Sequence, residues 1–262
     1  MAGAGPEGRI TFWYRVRHGA QRVDFQRIWN GPPYAVDYLD GEGGDLVISF
    51  SSIGHDPARR PSPEFVATAI GRGMQGPPRR ALFVMDQSRS WANADGFAEA
   101  LRGALERVQS GAPVRRVVTM GMSMGGFCAL AAAQVIPVDA VLAFSPQWSV
   151  VPGVIPDEAR WASWTDALPP VRWPTAPLPE NGWACLFHGA QDDLPHAMRF
   201  PEQTGLDHLI FPDLGHSDLV AHLKARGALG GLVEAALQGD RRRLLRIVSS
   251  ARGVSRQRYL RA

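Results

Sequence analysis

Short, nearly unbroken apolar runs alternate with polar and helix-forming stretches along most of this 262-residue chain. DLVISF (45–50), RALFVM (80–85), RRVVTM (115–120), DAVLAF (139–144), WACLFH (183–188) and DHLIF (207–211) lack the alternation of a half-exposed strand. Continuous apolarity over so few residues fits strands covered on both faces, as in a parallel sheet. Helices are predicted between them over 63–73, 93–110, 124–135, 194–203 and 217–227. The 93–110 segment has apolar residues at helical spacing, with Asn93 or Asp95 placed to cap it. Near the N-terminus, RITFWYRV and PYAVDYL are rich in aromatic and β-branched residues, with HGAQ and NGPP as turn signals. They predict antiparallel strands. The alternation as a whole predicts an α/β fold with helices on both faces of a mostly parallel central sheet.

One connection breaks the rhythm. Between Ser145 and Asn181 the chain holds eight of its 21 prolines and four of its eight tryptophans. A loop this long inside a compact domain is usually a lid or a binding loop, and Trp161 and Trp164 are its candidate pocket residues. The alternative is a rigid surface excursion that its tryptophans merely anchor.

Composition narrows the class. Hydrophobic residues make up 45% of the chain and charged residues 20%, enough for a sizeable core. No apolar run approaches the roughly 20 residues of a membrane span, and the N-terminal stretch lacks the pattern of a secretory signal, so a cytoplasmic protein is expected. Cys128 and Cys185 lie far apart in apolar segments and read as buried thiols. The net charge of +3 hides an asymmetry: residues 239–262 carry eight Arg against one Asp, leaving the remainder near −4. These features predict one domain over 1–225, with a lid insertion at about 146–181, and a basic helical extension over 226–262. Asp240 is placed to cap an amphipathic helix in that extension. A helix docked on the body explains this tail; a phosphate-rich or membrane surface and a homodimer contact are the alternatives. No nucleic-acid-binding signature is present.

The chemistry concentrates around Ser123. VVTM leads into Gly121-Met122-Ser123-Met124-Gly125 and then into a helix-forming run. Three glycines around one turn of a helix start cost stability, at roughly 1 kcal/mol each relative to Ala, and so need a reason. A strand, a sharp G-x-S-x-G turn and a helix supply it. The turn holds the serine in a strained conformation that exposes its hydroxyl, with Gly121 and Gly125 avoiding collisions and Gly126 admitting close helix–strand packing.

In these features, and in its strand and helix order over about residues 9–225, the chain resembles the α/β-hydrolase family. The resemblance implies a triad in the chain order Ser, Asp or Glu, His. The acid is expected after a late strand, where Asp192 fits the Gly-x-x-Asp spacing from Gly189; Asp193 and, less directly, Asp213 are alternatives. The base is expected after the last strand, at Gly215-His216-Ser217, while His188, His196, His208 and His222 read as packed or solvated imidazoles. A serine hydroxyl is a poor nucleophile until an imidazole takes its proton, and the carboxylate sets the tautomer of that imidazole. The backbone N–H of Met124 is the first expected oxyanion donor. Ser51-Ser52-Ile53-Gly54 stands where many family members have His-Gly, so Ser52 N–H is the second, with a Ser51 or Ser52 hydroxyl assisting. Gln147 and Trp148 are candidate pocket residues, and Asp86 is either that or an acceptor that orders its loop.

A serine hydrolase cleaving a carboxylic ester of a small molecule or glycan through an acyl-enzyme follows from this reading, with no metal and no cofactor. FSPQ (144–147) is faintly similar to segments of hydrolase-like proteins of surface-glycan metabolism. That similarity implies an alternative, an O-acyltransferase or deacetylase using the same triad. A non-catalytic binding protein on the same fold is the remaining alternative.

Overall fold

A computed structural model describes residues 9–16, 19–54, 56, 58–71, 77–166, 168 and 170–262. Side chains are described from Asp24 onward. Residues 1–8, Arg17 and His18 of the first turn signal, and the end of the 63–73 helix candidate lie outside the described residues.

Ten strands form one sheet: β1 (Arg9–Val16), β2 (Gly19–Gly31), β3 (Tyr34–Leu39), β4 (Glu42–Phe50), β5 (Arg79–Asp86), β6 (Arg116–Met122), β7 (Ala140–Phe144), β8 (Trp183–Gly189), β9 (Leu206–Phe211) and β10 (Val254–Ser255). Their spatial order is β1-β2-β3-β5-β4-β6-β7-β8-β9-β10. The six strands β5-β4-β6-β7-β8-β9 are mutually parallel, and every apolar run of the sequence falls on one of them. Their residues are buried on alternate faces in two separate cores, which is why these runs do not alternate in polarity. Leu142 and Phe144 face one core while Val141 and Ala143 face the other. Phe144 also stacks on Phe187 with ring centroids 4.7 Å apart.

The antiparallel end has three strands where the hydrophobic pattern predicts two. β2 lies between β1 and β3, with a register shift between Arg27 and Trp29. Phe25 is fully buried, but Arg27 and Asp37 pair across the strands, so polar residues interrupt the apolar run that would announce a strand.

The helices are α1 (Val66–Ile70), α2 (Phe97–Gly111), α3 (Met124–Ala132), α4 (Ala162–Thr165), α5 (Leu194–Ala197), α6 (Asp218–Ala225), α7 (Ala228–Gln238), α8 (Arg241–Ser250) and α9 (Arg256–Tyr259). α2 starts later than the pattern predicts, and neither Asn93 nor Asp95 caps it; Gly96, in a left-handed conformation, precedes its first turn. Asn93 is used elsewhere. Its side chain donates to the carbonyls of Ser90 and Trp91 and accepts from the backbone N–H of Trp173 in the long connection. Asp240 does cap α8, accepting from Arg243 N at 2.9 Å.

Residues 226–262 form α7, α8, β10 and α9, and of these α7 and α8 pack into the core of the sheet. Leu232, Val233, Leu244 and Val248 are buried in the same cluster as Val118, Leu142 and Phe187 of the sheet, and β10 pairs with β9. One core thus runs on both sides of residue 225. Cys128 and Cys185 are buried free thiols, as read from their apolar settings.

Candidate active site

β6 runs into α3 through Ser123, whose φ of 55° and ψ of −124° are unusual for a residue with a side chain. The glycines around it are close-packed. A Cβ at Gly121 would sit 2.3 Å from Gly125 O, and one at Gly125 would sit 2.4 Å from Phe50 O. At Gly126 the nearest atom would be Phe144 O at 3.1 Å, so α3 lies directly on the sheet. Ser123 N donates to Phe144 O at 2.8 Å, tying the turn to β7. Met124 is the first residue of α3, where a backbone N–H has no partner within the helix and can face an anion.

His216, in the connection from β9 to α6, lines a groove with Ser123. Its Nδ1 faces both oxygens of Asp193, at 2.9 and 3.0 Å. A carboxylate only accepts, so Nδ1 carries the proton and Nε2 is left as the acceptor. The Gly-x-x-Asp spacing favours Asp192 for this place, but the structure puts Asp193 there. Asp192 instead accepts from the backbone N–H of His216 at 2.5 Å. Asp193 sits directly before α5, its carboxylate buried, while Asp192 points outward. Among the described residues Asp213 forms no hydrogen bond or ion pair with this cluster, and Asp86 orders its own loop by accepting from Ser88 and Ser90.

Burial by itself would push the Asp193 carboxyl up. The hydrogen bond from His216 and the charges of His216, His188 and Arg160 outweigh it and hold the group below its usual range. Arg160 comes from the long connection: Nη1 lies 3.1 Å from Asp193 Oδ1, and its guanidinium is also held by Glu158. The guanidinium packs over Trp161, which stands 5.3 Å from the His216 ring. Nothing in the linear pattern singles out Arg160 or Glu158. Their only signal is a charged pair beside a tryptophan in a Pro-rich loop.

Gln147 is buried against the serine. Its Nε2 donates to Ser123 Oγ at 2.8 Å, and its Oε1 accepts from Trp91 Nε1 at 3.0 Å. An indole N–H only donates, so Trp91 fixes which end of the amide faces Ser123. Ser52 lines the groove, with its hydroxyl donating to Glu64 at 2.7 Å and its backbone N–H without an acceptor among the described residues. Ser51, whose hydroxyl is one of the two expected to assist at the oxyanion, points elsewhere. Its N–H donates to Val84 O and its hydroxyl to Ser62 O, and it does not line the groove. Trp161 lines the groove, whereas Trp148 packs edge-on against Phe200 and Trp164 lies under Arg89.

Three other histidines are packed groups. His188 Nε2 donates to Pro146 O, and its Nδ1 accepts from His208 Nε2. His196 accepts from Trp148 N and donates to Glu158. Desolvation lowers all three, His188 to about 4. Because the folded value lies below the unfolded value, the unfolded chain binds more protons between about pH 6.5 and pH 4. The stability that neutral His188 contributes is complete above about pH 6.5 and is lost as the pH falls to about 4. Its size is of order 3 kcal/mol. Urea unfolding across that window is expected to show a falling midpoint, and His188→Asn a shallower fall.

No protein-family model and no curated protein matches the sequence. Solved structures do match the fold. An esterase of Pyrococcus furiosus superposes with a TM-score of 0.53 at 11% identity, over 88% of this chain and 91% of that one. The capsule O-acetyltransferase of Neisseria meningitidis serogroup A superposes with a TM-score of 0.52 at 11% identity, over 78% and 92% of the two chains. A variant of that acetyltransferase in complex with CoA gives a TM-score of 0.52 at 10% identity, over 78% and 93%.

Proposed function

We propose that this chain, which has the α/β-hydrolase fold, is a serine hydrolase that cleaves a carboxylic ester through an acyl-enzyme. The observation that carries the proposal is the convergence of a strained Ser123 at a helix start with a His216 whose Nδ1 is held by a buried carboxylate. In this reading His216 Nε2 takes the Ser123 proton as Oγ attacks the ester carbonyl, and returns it to the leaving alcohol. Asp193 fixes the tautomer and stabilises the imidazolium. The N–H groups of Met124 and Ser52 receive the oxyanion, each such donor lowering the barrier by about 3 kcal/mol. Gln147 holds Ser123 Oγ in place until substrate arrives.

A second reading is acyl transfer, in which an acceptor hydroxyl rather than water attacks the acyl-enzyme. The fold shared with the capsule O-acetyltransferase favours it, and Trp161 beside His216 adds an apolar wall to the groove where an acceptor would enter.

Intact-mass analysis after treatment with a fluorophosphonate tests the shared first step. One adduct is expected on the native chain, located on Ser123, and none on Ser123→Ala or His216→Ala. A folded native chain that takes no adduct would overturn the proposal. Adding sugar acceptors to the ester assay then separates hydrolysis from transfer by the product formed.

A further inference from the structure

The groove that holds Ser123 and His216 encloses about 1060 Å³ and is walled on one side by α6. Ser217, Val220, Ala221 and Lys224 line it at the spacing of a single helix face. Seven residues along a helix span about 10 Å, so Lys224 stands about that far from the His216 end. Phe65, Val66 and Leu229 make the path between them largely apolar. Lys224 is the only lysine in the sequence, against 27 arginines.

Gly227, just past the end of α6, borders this groove and also a second cleft of about 600 Å³. Arg226, Arg243 and Arg246 line that cleft, brought together from the end of α6 and from α8. No carboxylate lines it, and none forms an ion pair with these arginines or with Lys224 among the described residues. Arg226 donates to the Ser250 carbonyl and Arg243 to the Gln238 side chain, both neutral acceptors. Elsewhere in the fold, Arg27, Arg79, Arg160 and Arg241 are each matched by an acid, while Arg80, Arg116 and Arg256 are each held singly by backbone carbonyls. Three arginines gathered in this cleft without a counter-charge, next to the end of the groove where Lys224 stands and away from Glu64, whose carboxylate takes the Ser52 hydroxyl bond, form a receptor for an anion.

We infer that the substrate carries a phosphate-type anionic group about 10 Å from its scissile ester, and that Lys224, Arg226, Arg243 and Arg246 bind it. The inference rests on Ser123 being the nucleophile and names the substrate class for that site. Guanidinium groups hold phosphate oxygens in paired hydrogen bonds, and the apolar wall accommodates the linking chain.

The test compares octyl phosphate, octanol and inorganic phosphate as protectants of Ser123 against fluorophosphonate labelling. Octyl phosphate is expected to protect at a concentration about 10-fold below that of octanol, an advantage that fades as salt screens the charges. Inorganic phosphate alone is expected to protect weakly, because it does not occupy the apolar path. In Arg243→Glu/Arg246→Glu, checked for an unchanged melting temperature, the advantage of octyl phosphate over octanol is expected to disappear. Equal protection by octyl phosphate and octanol in the native chain overturns the inference, as does full protection by inorganic phosphate alone. If the native chain takes no label, the nucleophile assignment fails instead. Calorimetric titration with octyl phosphate then decides the anion site separately: heat of binding lost in the double variant supports it, and no binding overturns it.

Discussion

Asp193→Asn is expected to lower kcat/KM for ester hydrolysis by about 10⁴-fold, and Asp192→Asn by about 10-fold or less. Both oxygens of Asp193 face His216 Nδ1, so the substitution removes the charge that stabilises the imidazolium. The Asn side chain also presents an N–H that favours the wrong tautomer. It leaves Arg160 next to a neutral group, which weakens the hold of the long connection on the site. Asp192 accepts from the backbone N–H of His216, a bond that an Asn carbonyl oxygen can take over, and its 3.8 Å ion pair with Arg160 is half-exposed and contributes little. The loss there is that of one charge-assisted bond weakened to a neutral one. Steady-state kinetics of the two variants, each verified as folded by circular dichroism, decide between the neighbouring acids. A larger loss in Asp192→Asn would assign the role to the residue that the Gly-x-x-Asp spacing favours.

The second large effect belongs to the turn itself. Gly121→Ala is expected to destabilise the protein by about 3 kcal/mol, the upper part of the range for overpacking, because the atoms that the added methyl meets all belong to the Gly125 backbone and cannot swing aside. In a chain of this size that corresponds to a fall in melting temperature of roughly 10 °C. The added methyl would meet Gly125 O at 2.3 Å, so the turn must open and Ser123 must shift. A displacement of about 1 Å in a reacting group costs on the order of 10²-fold in rate, and activity is expected to fall further than the folded fraction does. Gly111→Ala is the matched control: nothing lies within 4 Å of a Cβ there, and α2 ends at that residue. An Ala at 121 that leaves the melting temperature and activity unchanged would show that the turn tolerates a side chain.

The serine turn was legible because its constraints are local. A strand, a serine flanked by glycines and a helix are contiguous in the sequence, and steric exclusion over five residues is what the glycines encode. His216 was legible for the same reason, placed by the strand before it and the Gly beside it. The choice between Asp192 and Asp193 was not, since adjacent residues share every local feature. It turns on which carboxylate faces inward once α5 starts, with Asp193 buried and Asp192 half-exposed. Likewise, Arg160 reaches Asp193 across 33 positions and Trp91 reaches Gln147 across 56, contacts that no periodicity reports. The six parallel strands announce themselves through unbroken apolar runs, while β2 hides its strand character behind polar residues paired across the sheet. The chain sequence by itself thus determined the parallel α/β core, the serine turn and the histidine that follows the last long strand. Only the tertiary structure decided which carboxylate faces His216, the seat of the Gln147 amide on Ser123 and the placing of a cleft lined by tail arginines next to the groove. These depend on which side chains packing turns toward one another, and burial with hydrogen-bond pairing acts between residues that are remote along the chain.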